Sequence, residues 1–358
     1  MNIKRYKIIV SATALCLIMV FAIFGQTQKT QEAQLLSANQ TIERELAGGQ
    51  SHTYRITLKS NEFLQIKAEQ KGVDVVVRLF DSNQKQLVEV NSSDSELGFE
   101  ELLFITEKEG EYEIQIGALK EKAATGIYTL QWSRQNATEK NRTRVIAKKL
   151  YDDGYKLRRK PESESEGIIK LEEALKLYQQ IKDSRGEGLA KFNLGNVYIS
   201  LAQYEKARDY FQQALLINRK IKNRAGEGLS LFGLGRVYDE LAEYGKASEF
   251  YEQSLIISRK VKDRANEGIT LSSLGRISNI LAQYEKARNY CEQALIISRE
   301  IKNLYVESLS LKILGDVYYN LGQYGKASEF YTQSLPMNRA IQDRYGEGTA
   351  LAGLEMFM

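Results

Sequence analysis

The segment "NLGNVYISLAQYEKARDYFQQAL" at residues 193–215 decides the fold of most of this chain, because it recurs forty residues later as "GLGRVYDELAEYGKASEFYEQSL" at residues 233–255. Two more copies follow at residues 273–295 and 313–335, with the same spacing and no insertion. A fixed period of this length is the sequence signature of an array of stacked structural units. The chain has only 2 prolines in 358 residues, which agrees with long uninterrupted helices.

The repeated positions combine small and bulky side chains. Each copy has a leucine-glycine pair, a tyrosine, an alanine, a bulky or thiol residue, and a small residue followed by leucine. Glycine inside a helix costs about 0.5–1 kcal/mol relative to alanine, so its recurrence predicts places where a neighbouring helix crosses too closely for a side chain. These glycines are Gly195, Gly235, Gly275 and Gly315. A short polar residue before each unit predicts helix N-caps at Asp183, Asn223, Asp263, Asn303 and Asp343.

This pattern resembles the tetratricopeptide repeat (TPR), whose first helix carries L-G-x-x-Y and whose second helix carries Y-x-x-A, an aromatic residue and A-L. The resemblance implies an all-α superhelix of four repeats at residues 183–342. The family unit has 34 residues. The unit here has forty, and at about 1.5 Å per residue its helices gain more than one turn in total. We expect a degenerate helical pair at residues 143–182 and a truncated fifth repeat at residues 343–358.

The truncated repeat ends in "LAGLEMFM", in which Leu351, Leu354 and Phe357 have no second helix to cover them. Repeat arrays normally close with a polar helix. Two interpretations stay open: this exposed C-terminal helix docks a partner, or the chain is a truncated form of something longer.

Residues 42–134 show a period of two, which is typical of strands. Turn residues separate seven or eight short apolar runs, which predicts an all-β sandwich of two antiparallel sheets. The stretch "VDVVVRLFDSNQKQL" and the G-x-Y strand starts at Gly110 and Gly126 resemble the bacterial pre-peptidase C-terminal (PPC-like) domain. The resemblance implies a jelly-roll-like fold with an adhesion or spacer role. A polar linker is predicted at residues 135–142.

Residues 1–25 have the composition of an export signal. Lys4, Arg5 and Lys7 precede an uncharged, mostly apolar run at residues 8–24. This run predicts a cleaved signal peptide, with an uncleaved inner-membrane anchor as the alternative. Either places the remaining chain in the periplasm or outside the cell.

The charge pattern argues against nucleic acid as a partner. The formal net charge is +4, and without the three basic residues of the signal it is 4 − 3 = +1. Acidic and basic residues are interleaved along the predicted helices, as in "YEKARDYFQQ". Such a pattern forms a solvated face and not a basic stripe that neutralises phosphates.

The sequence predicts no enzyme, no cofactor and no metal site. It has one histidine and two cysteines, and it lacks a phosphate-binding G-x-x-x-x-G-K-[ST] loop. Cys291 takes the aromatic position of its repeat, so we expect a buried small hydrophobe. His52 begins a strand, and we expect it to be exposed at a sheet edge.

The resemblance to tetratricopeptide repeats also implies a ligand-binding groove. In the family the ligand-facing positions lie two residues before the repeat leucine, and two, five and six after it. Arg236 and Arg276 lie one repeat apart in one of these rows, and together they predict a site for an acidic segment. The full set is Phe192, Asn196, Ile199, Ser200, Phe232, Arg236, Asp239, Glu240, Ser272, Arg276, Asn279, Ile280, Lys312, Asp316, Tyr319 and Asn320.

Three functions remain open at this point. The order of signal, sandwich and long repeats resembles the amino-terminal part of exported bacterial proteins, in which a caspase-like CHAT protease domain often follows the repeats. We favour a non-catalytic scaffold that binds a peptide or protein partner in its groove. The alternatives are a regulatory fragment of such a protease without its catalytic domain, and an adhesion or carbohydrate-binding module on a helical spacer.

Overall fold

The computed structural model describes residues 34–36, 40–91, 97–121, 125–158 and 161–355. The predicted signal at residues 1–25 lies outside them. Within the described part of the chain, no helix combines the length and apolar character needed to span a bilayer. The described residues form a β-domain followed by paired helices, which confirms the predicted fold class.

The β-domain contains two sheets. Its described strands are β1 Gln34–Leu35, β2 Thr41–Leu46, β3 Ser51–Leu58, β4 Glu62–Lys71, β5 Val75–Phe80, β6 Gln86–Val90, β7 Leu97–Ile105, β8 Gly110–Ala118 and β9 Gly126–Asn136. One sheet has the order β1-β3-β8-β5-β6 and the other β2-β9-β4-β7. All neighbours are antiparallel except β1 and β3, which pair in parallel.

The alternating sequence pattern produces the sandwich core. In β3 the side chains of Tyr54, Ile56 and Leu58 are buried, whereas Arg55 and Thr57 between them are exposed. The inward residues of both sheets join one apolar cluster, because successive side chains of a strand point to opposite faces. The domain is slightly longer than predicted, since β9 continues to Asn136.

The linker predicted at residues 135–142 is wrong. Strand β9 ends at Asn136, and the first helix, α1, begins at Glu139. Thr138 Oγ1 accepts a hydrogen bond from the backbone N–H of Asn141 and so caps this helix. The polar residues of this stretch therefore belong to a strand end and a helix cap, which have the same composition as a loop.

Eleven helices follow within the described residues: α1 Glu139–Leu157, α2 Glu164–Gln180, α3 Ser184–Ser200, α4 Tyr204–Lys220, α5 Arg224–Glu240, α6 Tyr244–Val261, α7 Arg264–Ile280, α8 Tyr284–Glu300, α9 Leu304–Asn320, α10 Tyr324–Ala340 and α11 Arg344–Glu355. Repeats 1 to 4 are the pairs α3/α4, α5/α6, α7/α8 and α9/α10. Nearly all of these helices have 17 residues, which accounts for the long repeat.

Polar side chains join the sandwich to the helices. Arg144 of α1 forms ion pairs with Glu101 of β7, at 3.3 Å, and with Asp183, at 2.9 Å. The guanidinium of Arg185 lies 4.0 Å from the ring centre of Phe99. These contacts dock the four-stranded sheet against the N-terminal end of the helical array.

Candidate protein-binding groove

The repeated glycines lie where the two helices of a repeat cross. A Cβ atom at Gly195 would lie 2.8 Å from the Phe211 ring, and one at Gly235 would lie 2.6 Å from the Tyr251 ring. At Gly275 it would overlap Cys291 Sγ. The prediction of close helix crossings is therefore confirmed.

A second set of contacts matches side-chain sizes between successive repeats. The ring of Phe211 also faces Gly233, at 2.5 Å from a Cβ built there, and Tyr331 faces Gly353 in the same way, at 2.7 Å. At the boundary of repeats 3 and 4 the side-chain sizes are reversed, since the small Cys291 corresponds to Phe211 and the large Ile313 corresponds to Gly233. Both of these residues are buried in one cluster. Large and small residues thus alternate across the repeat boundary and fill similar space.

The first helices of the repeats form the inner wall of the array. Those of neighbouring repeats contact each other directly, whereas the second helices contact one another weakly at most. This arrangement places the first helices on the concave side of a superhelix. Their N-termini are fixed by the predicted caps, whose side-chain oxygens accept from backbone N–H groups: Asp183, Asn223, Asp263, Asn303 and Asp343.

Hydrogen bonds connect predicted groove residues across the repeats. Arg236 Nη1 donates to Asn196 Oδ1 at 2.9 Å. Asn320 Nδ2 donates to Asn279 Oδ1 at 3.1 Å, and Arg276 forms an ion pair with Asp239. These bonds hold the side chains of the inner wall in fixed positions.

The ion pair with Asp239 changes the prediction for the two arginines. Arg276 already has an intramolecular carboxylate, so the pair of free cations expected from the sequence is not present. Arg236 contacts a neutral amide, and it forms no ion pair with any residue that the structure describes. Only Arg236 therefore remains as an uncompensated guanidinium in this row.

Several aromatic and charged residues of the predicted groove already contact other side chains of the protein. Phe192 and Phe232 are half-buried, with ring centres 5.6 Å from Phe211 and 5.4 Å from Tyr251. Lys312 pairs with Asp316 at 2.8 Å within its own helix.

The remaining predicted groove residues divide into buried and accessible ones. Tyr319 packs against Tyr324, with ring centres 5.5 Å apart. Ile199 and Ser272, which the family pattern placed in the groove, are buried and cannot face a ligand. Ser200, Glu240, Ile280 and Asn320 are exposed.

One row of the same helix face was missed. Leu189, Leu229, Ile269 and Leu309 each lie three residues before the first groove position of their helix, hence on the same side. Leu189 is 41% exposed and the others are half-buried. Their forty-residue spacing was the available signal. They add an apolar strip beside the polar row.

His52 was expected to be exposed, and this is wrong. Its imidazole is half-buried and its Nδ1 lies 2.7 Å from the hydroxyl of Tyr128 in the opposite sheet. That hydroxyl in turn lies 2.5 Å from the hydroxyl of Tyr54. Burial, and secondarily the charge of Arg44, lower the pKa of His52. The strand alternation could not reveal this contact, because it links residues 76 positions apart.

Cys291 is fully buried, and its burial raises the pKa of the thiol. The prediction of a small core residue at this position is therefore confirmed. The described residues contain no cluster of three potential metal ligands.

Comparisons with known proteins agree with this geometry. The family model for the tetratricopeptide repeat matches residues 186–260 and 266–340. Residues 186–260 and 266–340 of this chain therefore form tetratricopeptide repeats. No curated protein matches the sequence of the chain.

Two solved structures are similar to parts of this chain. Aspartyl phosphate phosphatase F from Bacillus subtilis is similar at 18% identity and a TM-score of 0.50, over 61% of this chain and 60% of that one. The chain thus spans about three-fifths of the length of that phosphatase. A Rap protein complexed with competence and sporulation factor is similar at 12% identity and a TM-score of 0.45, over 61% of this chain and 64% of that one.

A third solved structure is similar to a shorter part of the chain. The pre-peptidase C-terminal domain of a collagenase from Bacillus anthracis is similar at 21% identity and a TM-score of 0.25, over 28% of this chain and 95% of that domain. The relationship to proteins with a CHAT domain stays a prediction.

Proposed function

We propose that this TPR protein is a non-catalytic scaffold that binds a protein or peptide in the concave groove of repeats 1 to 4. The observation that carries the proposal is the row of hydrogen bonds between first helices, which presents a pre-formed wall. Binding to a pre-formed surface avoids the entropy cost of ordering side chains.

The chemistry of the groove favours an acidic segment with apolar neighbours. Arg236 lacks a carboxylate partner among the described residues, so a ligand carboxylate would supply its charge complement. Phe192 and Phe232 flank it one repeat apart, and Leu189 and Leu229 lie one turn before them. A peptide with one acidic side chain between two large apolar ones would satisfy both kinds of surface.

The test is a short-peptide array with paired members that differ only by glutamate or glutamine between two leucines. We expect wild-type protein to prefer the glutamate members, and Arg236→Gln to lose that preference. Arg219→Gln is the matched control, because this arginine lies on the second helix of its repeat and pairs with Glu227. Equal binding of both peptide classes by wild-type protein would contradict the proposal that the ligand is acidic. If Phe192→Ala and Phe232→Ala also leave peptide binding unchanged, the proposal that the groove is the binding site is wrong.

We further propose that the protein is exported across the inner membrane, because Lys4, Arg5 and Lys7 precede the apolar run at residues 8–24. N-terminal sequencing of the mature protein distinguishes a cleaved signal from an anchor. Recovery of the full-length chain in the cytoplasmic fraction would contradict export.

A second candidate function concerns the sandwich. An open cleft of about 330 Å³ is lined by Gln40, Thr41, Gln65, Lys67, Gln131, Trp132 and Ser133. Its amides and hydroxyls are the groups that hydrogen-bond sugar hydroxyls, which favours an adhesion role. Glycan-array binding by the full chain, lost in Gln131→Ala and kept in Arg236→Gln, would support it. The absence of any bound glycan would count against it.

A further inference from the structure

Repeats 1, 2 and 4 each contain a stack of two aromatic rings and a lysine. A tyrosine of the first helix lies parallel to an aromatic ring of the second, with centres 5.3–5.5 Å apart, and a lysine ammonium lies 5.1–5.2 Å from the tyrosine ring. Such stacks stabilise a helix pair beyond the area that they bury. The stacks are Tyr198/Tyr210/Lys206, Tyr238/Phe250/Lys246 and Tyr318/Phe330/Lys326.

Repeat 3 lacks this stack. Ser278 occupies the tyrosine position, and Lys286 lies 5.6 Å from the ring of the remaining Tyr290. The second aromatic pair of repeats 1 and 2 is also absent, since Ser272 and Cys291 replace the rings. The pair α7/α8 has two aromatic residues, whereas α3/α4 and α5/α6 have five each.

The first helix of repeat 3 also buries polar groups. Ser272 Oγ lies 2.8 Å from Ser310 Oγ of repeat 4, in a buried position where other repeats place larger side chains. Asn266 Oδ1 and Thr270 Oγ1 are buried without a hydrogen-bond partner among the described residues. Unsatisfied buried polar atoms destabilise the segment that contains them.

Two bonds of the groove wall run through this same helix. Arg276 pairs with Asp239 of repeat 2, and Asn279 bonds to Asn320 of repeat 4. Opening of α7 would break both bonds and separate the wall of repeats 1 and 2 from the wall of repeat 4. The repeat with the fewest aromatic residues therefore lies where it divides the groove.

We propose that repeat 3 is a hinge that opens locally and so regulates access to the groove. The regulatory role rests on the proposed function, whereas the local opening does not. A ligand that contacts repeats 2 and 4 together would hold the hinge closed, because it binds the closed form alone.

Hydrogen exchange of the full-length protein, followed repeat by repeat, tests the hinge. In an array of equal units the inner repeats would be the best protected, because each has two neighbours. We expect amides of α7 and α8 to exchange about tenfold faster than the corresponding amides of α5 and α6, from the loss of two aromatic pairs. Equal or slower exchange in repeat 3 would overturn the proposal.

Two variants test the cause. Ser278→Tyr restores the stack and should slow exchange in repeat 3, and Tyr238→Ser should create a second fast region in repeat 2. If neither variant changes exchange in its own repeat, the aromatic stacks do not set the local stability and the hinge as argued is wrong. A peptide from the array that binds without slowing exchange in repeat 3 would overturn the regulatory role, while its binding would leave the proposed function intact.

Discussion

The size matching between repeats predicts that two unfavourable substitutions at the boundary of repeats 3 and 4 compensate each other. Cys291→Tyr alone places a ring against Ile313 and should lower the free energy of unfolding by about 1–3 kcal/mol through overpacking. Ile313→Ser alone leaves a cavity and a buried hydroxyl, at a cost of about 2–5 kcal/mol. Together they reproduce the combination of Tyr251 and Ser273 at the boundary of repeats 2 and 3.

The double variant should therefore be more stable than Ile313→Ser alone, with a coupling free energy of about 1–3 kcal/mol. Urea unfolding followed by far-ultraviolet circular dichroism on the wild type, both single variants and the double variant measures this coupling. Cys291→Ala with Ile313→Ser is the control, because it brings no ring to fill the space. A double variant that loses the sum of the two single effects would refute the matched-size explanation.

Three further outcomes follow from other parts of the structure. Gly235→Leu should lower the free energy of unfolding by about 1–3 kcal/mol, since its side chain would overlap Tyr251; an unchanged melting temperature would contradict this. Gly322 has a φ of 70°, so Gly322→Ala should lower the free energy of unfolding by about 1 kcal/mol. Ala242 has a φ of 57°, so Ala242→Gly should stabilise the protein. Urea unfolding midpoints equal to that of the wild type would contradict both expectations. The lowered pKa of His52 means that the unfolded chain binds the proton more readily, so the stability of the sandwich should fall as the pH drops through about 6.5. Unfolding followed by Trp132 fluorescence measures this fall, which should be absent in His52→Gln. The same pH dependence in both proteins would exclude His52 as the cause.

The repeat architecture was predictable because its determinants are local and repeated. The glycine positions, the caps such as Asp183 and the strand alternation around Ile56 each express a rule that acts within a few residues. Repetition strengthened each signal, since four copies at one spacing leave little room for another interpretation. The prediction of a linker at residues 135–142 was wrong because strand ends and N-caps have the same composition as loops.

The amino-acid order alone determined which helices pair, where they cross and which faces meet. Only the tertiary structure decided which groove side chains are already occupied. Asp239 pairs with Arg276, 37 positions away in the sequence, so that only Arg236 of the two arginines has no carboxylate partner among the described residues. The half-buried His52 contacts the hydroxyl of Tyr128, 76 positions away. Such contacts depend on distances between elements, which backbone periodicity does not encode. The chain therefore specifies its scaffold locally, whereas the chemistry of its groove arises where separate repeats come together.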